Sequence, residues 1–291
     1  MLRYAPLSKA RCLAVRGFMT KARLLEVSQI KPYVPTAVWK PAARTVRLLS
    51  EEGRRHRRLQ QLNLTQLAQE FGTDKWGSHY YTTHYQRHLQ HLKDESFTLL
   101  EVGIGGYKES GVGGESLQMW KWFFPRARIV GLDIEDKAFV RQPRVHTVHG
   151  SQTEPEVLER TIRLHGVPRV VIDDGSHVPA DVIATFRHLF PRLPDGAIYA
   201  IEDTQTSYWP EFGGQADPAA GDTSMALVKG LVDGLNHEEF VDQDYRPTYT
   251  DLHVRSVTCY HNLVFIEKGD NREGTNRHMV LPPPESPSAV G

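Results

Sequence analysis

Five short apolar runs recur through the middle of the chain, at residues 98–104, 127–133, 144–149, 169–174 and 197–203. Each has the length of a strand buried on both faces, as parallel strands are. Stretches with helical spacing of apolar positions lie among them, at 115–124, 155–166 and 179–191, and another follows at 223–236. Strand alternating with helix predicts an α/β fold with a doubly wound parallel sheet. Two last runs, 251–259 and 262–266, have almost nothing between them and predict an antiparallel hairpin closing one sheet edge.

In such sheets a ligand lies beyond the carboxyl ends of the strands. Here those ends are polar: Glu101 and Gly103, then Asp133, then Gly150-Ser151-Gln152, then Asp173-Asp174-Gly-Ser-His177, then Glu202-Asp203-Thr204. Glu101-Val-Gly103-Ile-Gly105-Gly106 is a glycine-rich turn, where the backbone can approach a ligand that a Cβ would exclude. A long loop separates it from the next helix, which Glu115 or Ser116 is placed to cap, so no helix N-terminus is aimed at a pyrophosphate. Asp133 lies 30 residues beyond Gly103 and can accept hydrogen bonds from ribose hydroxyls. That combination suits S-adenosylmethionine better than a nicotinamide dinucleotide.

Strands four and five are neighbours about 4.8 Å apart in this fold, so Asp173, Asp174, Glu202 and Asp203 converge. Crowded carboxylates either rise in pKa or hold a cation. An all-oxygen set favours a hard ion such as Mg²⁺. Successive strand residues face opposite ways. Asp174, Glu202 and Asp203 are therefore expected at the metal and Asp173 at the cofactor rim. His177, three residues past Asp174, is the expected general base.

Composition adds limits. The 291 residues carry 40% hydrophobic and 24% charged side chains, as folded soluble chains do, and no apolar run is long enough to span a bilayer. Two cysteines, Cys12 and Cys259, are too few for a disulfide framework, which points to a reducing, cytoplasmic setting. The zero net charge hides an asymmetry. Residues 1–60 hold 14 Lys and Arg against three acids, leaving 21 of 35 basic and 32 of 35 acidic side chains for the rest. The first 60 residues are therefore expected as a basic, loosely ordered or helical arm: a solvated lead-in, a targeting presequence or a contact for an anionic partner, with Met19 an alternative start. An acidic body argues against an extended nucleic-acid footprint. Residues 61–270 are expected to form the catalytic domain and 271–291 a flexible tail. Asn63-Leu-Thr65 matches a glycosylation sequon and is read as chance.

Several motifs together resemble one family. They are Phe71-Gly-Thr-Asp-Lys-Trp-Gly77, His79-Tyr-Tyr-Thr82, Leu100-Glu-Val-Gly-Ile-Gly-Gly-Tyr107, Gly113-Gly-Glu-Ser-Leu-Gln-Met-Trp-Lys121, Ile172-Asp-Asp-Gly-Ser-His177, Ile201-Glu-Asp-Thr-Gln-Thr-Ser-Tyr-Trp-Pro210 and Tyr260-His-Asn-Leu-Val-Phe-Ile266. The chain is similar over about 68–268 to the metal-dependent sugar O-methyltransferases of glycosylated natural products, the family of the mycinamicin VI and rhamnosyl-tetracenomycin enzymes. The resemblance implies a class I S-adenosylmethionine methyltransferase sheet, Mg²⁺ and methyl transfer to a sugar hydroxyl, and it supports the roles given to Asp174, His177, Glu202 and Asp203. It further implies that Thr73, Asp74, Lys75, Tyr80 and Tyr81 line the cofactor's open side. Gln205, Tyr208 and Trp209 are then expected to face the acceptor, whose apolar side suits aromatic rings. Ser151 stands where the family usually has Asp, so the acidic cofactor contact is either missing or made by Gln152, with Ser151 and Gln152 both expected at the cofactor. The implied partner is a small-molecule or glycoside acceptor; a homo-oligomer is open. A catechol or polyketide phenol acceptor, a nicotinamide-dependent sugar dehydrogenase and a non-catalytic binding module are the alternatives.

Overall fold

A computed structural model describes residues 51–275 apart from Lys108 and Ser110. The chain divides into two compact units, residues 1–61 and 62–291. Of the first, 51–61 are described and are helical. The readings of the arm before residue 51, and the tail from 276, lie outside the described residues. Among the described residues no helix is long and apolar enough to cross a membrane.

The second unit opens with helix α1, Leu64–Phe71, which buries Leu64, Leu67 and Ala68, one helical stripe. Asn63 caps it: its side chain accepts from Gln66 N while the Gln66 side chain accepts from Asn63 N, a reciprocal capping box. The apparent sequon is thus a helix start. Gly72 ends α1 in the left-handed region, φ 74°. A short turn leads to α2, Thr82–Leu89.

Five parallel strands follow, β1 Thr98–Val102, β2 Arg128–Asp133, β3 Val145–His149, β4 Val170–Asp173 and β5 Ile198–Glu202, with α3 Glu115–Phe123, α4 Pro155–His165 and α5 Pro179–Leu189 between them. Pro155 and Pro179 sit in the first turns of α4 and α5, where a missing N–H costs nothing. Helix α6, Ser224–Gly234, is capped by Thr223. The expected strand over 251–259 begins as a helix instead. Thr248 and Asp251 form a second capping box that starts α7, Tyr249–His253, and β6, Val254–Tyr260, follows it. A two-residue turn joins β6 to β7, Leu263–Lys268.

The sheet order is β3-β2-β1-β4-β5-β7-β6, so β7 pairs antiparallel with β5 and β6 is the edge. This is the class I methyltransferase arrangement expected from the chain. Its core is continuous from Leu100 and Val130 through Val171 and Tyr199 to Ile266. Phe186 of α5 meets Tyr199 edge-on at 5.1 Å and stacks on Phe190 at 4.8 Å. Truncating such a ring costs about 3–5 kcal/mol. The parallel register pairs Val102 with Asp173 and Asp173 with Ile201. The residues that follow these strands therefore emerge side by side at one rim.

Candidate active site at the carboxyl rim

Strand alternation separates the two aspartates at the end of β4, Asp173 in its last position and Asp174 just beyond it. Asp173 points inward, 1% exposed, and accepts from Tyr199 OH at 2.9 Å and from Gln152 Nε2 at 3.2 Å. Burial pushes its carboxyl up to about 7, against the lowering effect of those donors. Asp174, one residue on, faces the other way. It lies against Gly103, where a Cβ would fall 2.1 Å from the Asp174 carbonyl oxygen. Only glycine permits that approach, and Gly103 also has φ 76°. The glycine turn and the loop after β4 thus touch.

That loop is held from behind. Gln152 donates to Asp173 and to Thr185 Oγ1, and its Oε1 accepts from Ser176 N at 2.9 Å. It leads to His177, whose φ of 57° is left-handed. Asp203, just past β5, is left-handed as well, φ 53°, as is Asn262 in the β6–β7 turn, φ 62°. For residues other than glycine this costs on the order of 1–3 kcal/mol each and is held only by surrounding structure. Around Asp203 the brace is Tyr81, whose hydroxyl donates to Asp203 Oδ1 at 2.7 Å and lies 3.2 Å from the Asn262 carbonyl oxygen.

The result is one cluster. His177 Nε2 lies 3.9 Å from Asp174 Oδ1 and 3.7 Å from Asp203 Oδ2. Asp174, His177 and Asp203 each offer a ligand atom within 4.8 Å of the others. Two ligand atoms each about 2.1 Å from one small cation stand at most about 4.2 Å apart, and both distances from His177 lie within that limit. All three groups are half-buried. Behind them lies a buried ionic network. The Lys75 ammonium, 1% exposed, sits 2.7 Å from Asp174 Oδ2, 2.7 Å from Glu202 Oε1 and 3.2 Å from Glu101 Oε1. Glu101 Oε1 has no aligned donor, so its contact with Lys75 is an ion pair without a hydrogen bond. Tyr85 OH also donates to Glu202 Oε1, at 2.6 Å. Burial opposes the lysine's charge, but Asp174, Glu202 and Glu101 outweigh it and hold the ammonium well above its ordinary value. Burial raises Glu101, Asp174 and Glu202, and for Glu202 the Asp174 charge adds to the effect. One ammonium against four carboxylates leaves negative charge that a divalent cation would offset.

The expected sites divide accordingly. Gly103, Gly105, Asp133 and Ser151 stand at the rim. Asp133 braces the glycine turn, accepting from Ile104 N at 3.0 Å and from Glu135 N at 2.8 Å. Ser151 is half-buried and bonds Thr153 Oγ1. Thr73, Tyr81, Glu101, Gln152 and Asp173, expected as cofactor contacts, are all buried behind it. Glu101 accepts from Ser116 Oγ at 2.8 Å, and Gly114 rather than Glu115 or Ser116 occupies the helix cap. Gln152 bonds Asp173, Glu101 bonds Ser116 and Tyr81 bonds Asp203, so these groups brace the rim from behind. Tyr208 and Trp209 are exposed beside Asp203, while Gln205 Oε1 is a buried oxygen without a partner. Glu202 is the expected metal residue that the closest set omits: the recorded contacts to its carboxylate, from Lys75 and Tyr85, fall on one oxygen.

Sequence reasoning expected Lys75 at the cofactor's open side and not among buried carboxylates, and it assigned no role to Tyr85 or to His79, which stacks on Tyr81 at 4.7 Å and lies 3.7 Å from Asp203 Oδ1. Nor did it single out Lys137, buried and donating to the Tyr107 and Val112 carbonyls of the glycine loop. A lysine inside a glycine-flanked polar turn before the first strand was the one available signal. Two cavities, of about 250 and 510 Å³, lie at the sheet's opposite end, near Arg169 and Arg255 and near Arg128 and Arg144.

No protein-family model matches the chain. Over 215 residues, 73% of its length, the chain is 48% identical to demethylmacrocin O-methyltransferase of Streptomyces fradiae, covering 54% of that protein. The chain's close homologues are sugar O-methyltransferases. It is 45% identical over the same length to mycinamicin VI 2''-O-methyltransferase of Micromonospora griseorubida, again covering 54%. It thus spans about half the length of these curated sugar O-methyltransferases. The solved structure of MycE, a methyltransferase of the mycinamycin biosynthetic pathway in complex with Mg and SAH, superposes with a TM-score of 0.71 at 45% identity, over 73% of this chain and 55% of that one. A second MycE complex also holds mycinamycin VI.

Proposed function

We propose that this protein is an Mg²⁺-dependent, S-adenosylmethionine-dependent O-methyltransferase acting on a sugar hydroxyl of a glycosylated small molecule. The meeting of Asp174, His177 and Asp203 beside the glycine turn carries the reading. The homologues' names and the Mg and SAH in MycE support it, and they favour a sugar over a phenol acceptor and over a dehydrogenase. Residues 61–270 form the catalytic domain, flanked by the basic arm 1–60 and the tail 271–291. The enzyme works in the cytoplasm on a glycoside acceptor and not on nucleic acid.

S-adenosylmethionine supplies an electrophilic methyl group, and Mg²⁺ supplies positive charge that acidifies a hydroxyl beside it. Gly103 and Gly105 admit the cofactor, Asp133 takes its ribose hydroxyls and Ser151 its outer edge. Asp174 and Asp203 would hold the cation, with Glu202 behind them as a further candidate ligand. His177 Nε2 removes the acceptor proton, and the two neighbouring carboxylates stabilise the imidazolium that forms. Tyr208 and Trp209 offer rings to the sugar's apolar face. The unpartnered Gln205 Oε1 can accept from a sugar hydroxyl, relieving a buried acceptor that costs about 1–3 kcal/mol when unpaired.

The test is the full chain with S-adenosylmethionine, Mg²⁺ and a panel of glycosides and catechols, read by mass spectrometry. The expected result is one methyl group added to a sugar ring, stopped by EDTA and restored by Mg²⁺. His177→Ala should lose turnover while still binding S-adenosylhomocysteine in calorimetry. Methylation of catechols alone, or chelator-resistant turnover, would refute the proposal.

A further inference from the structure

An ammonium group beside a candidate cation site is an electrostatic oddity. Lys75 is buried and directed at Asp174, Glu202 and Glu101 from a turn 99 residues before Asp174 in the chain. The backbone is built to deliver it. Gly72 ends α1, Lys75 N lies 3.5 Å from Thr73 Oγ1, and an isolated bridge between Trp76 and Tyr80 closes the turn. A buried lysine of this kind repels any cation placed at Asp174. If its purpose were only to neutralise carboxylates, a bound cation could do the same.

Its contacts show a division of labour. On Asp174 the ammonium takes Oδ2, while Oδ1 is the oxygen facing His177. On Glu202 it takes Oε1 together with Tyr85 OH. On Glu101 it meets a carboxylate whose other oxygen is held by Ser116. Asp174 and Glu202 are thus each pinned by Lys75 through one oxygen and Glu101 is held at both, and the cluster carries one fewer negative charge than its acids alone would give it.

We infer that Lys75 is a built-in counter-ion that sets the charge preference of the cation site, favouring a divalent over a trivalent ion, and that Glu101 adjusts the same preference in the opposite direction without touching the ion. This rests on the proposal that Asp174 and Asp203 hold a cation. Binding follows the charge of the cluster: with Lys75 replaced by a neutral side chain, each extra unit of charge on the ion meets a more negative cluster. With Glu101 neutralised, it meets a less negative one.

The experiment measures Mn²⁺ affinity by electron paramagnetic resonance and Tb³⁺ affinity by sensitised luminescence on the full chain. The variants are Lys75→Met, Lys75→Arg and Glu101→Gln. In Lys75→Met the ratio of Tb³⁺ to Mn²⁺ affinity should rise by about tenfold or more, from the loss of one buried charge a few ångströms away. Lys75→Arg should leave the ratio near that of the wild type. Glu101→Gln should lower it and weaken Mn²⁺ binding. An unchanged or lower ratio in folded Lys75→Met would overturn the inference, as would loss of all cation binding there. If Lys75→Met does not fold, Glu101→Gln decides: an unchanged ratio rejects the counter-ion role. Absence of Mn²⁺ binding by the wild type would instead overturn the cation site on which the inference rests.

Discussion

Replacing Gly175 with alanine should break the loop that carries His177, and adding a second substitution, Gln152→Ala, should cost almost nothing more. A Cβ at Gly175 would fall 2.0 Å from Gln152 Oε1, 2.9 Å from its Cδ and 3.0 Å from Val102 Cγ1. The Gln152 side chain must therefore leave. It makes three hydrogen bonds, to Asp173 Oδ1, Thr185 Oγ1 and Ser176 N, and it is 8% exposed. Neutral bonds contribute about 1 kcal/mol each, those to a charged group somewhat more, and buried groups left unpaired add to the loss, giving about 3 kcal/mol. Gln152→Ala removes the same bonds and should cost about the same. In the double variant the bonds are lost once and the clash with the glutamine is gone. The cost should then be about 3 kcal/mol in place of the roughly 6 of simple addition. For a domain of this size 1 kcal/mol shifts Tm by about 2–4 °C, so each single variant and the double should melt some 6–12 °C below the wild type. Calorimetric melting of the four proteins gives the coupling directly. Additive losses would refute the proposed contact between Gly175 and Gln152.

Two further outcomes follow from the same geometry. Folding favours the neutral form of Asp173, because burial lifts its carboxyl to about 7 from an ordinary value near 4. That contribution is fully present below about pH 4 and is lost as pH rises through 7. Asp173→Asn should therefore lose less Tm than the wild type between pH 5 and 8.5, and parallel pH profiles would contradict the assigned shift. Tyr81→Phe keeps the ring stacked on His79 but deletes the hydroxyl that braces Asp203. Loss of one hydrogen bond to a carboxylate, partly replaced by water, should cost about 1–2 kcal/mol of stability. Turnover should fall by about tenfold in kcat, with S-adenosylhomocysteine affinity unchanged; a wild-type kcat would remove the brace from the account.

The sheet was legible because its strands are dense apolar runs with polar ends, and the carboxyl-end rule placed the chemistry at Asp174, His177 and Asp203. Alternation also predicted that Asp173 and Asp174 part company. It could not tell which side each would take: Asp173, expected at the cofactor, went inward to Tyr199. The burial of Lys75 among carboxylates was hidden for a related reason. Hydropathy assigns lysine to the surface, and only three carboxylates brought from β1, β4 and β5 make its burial tolerable. Helix starts were misread where polar side chains cap locally. Asn63 looked like a sequon and Asp251 like a strand residue, yet both close capping boxes.

The central claim is that Asp174 and Asp203 share a divalent cation beside His177. Titration of Mg²⁺ into the full chain by calorimetry tests it most directly. The wild type should bind one ion per chain, and Asp203→Asn should weaken that binding by about tenfold or more, since a charged ligand is lost from a half-buried site. Equal affinity in the two proteins, or no binding by the wild type, would contradict it.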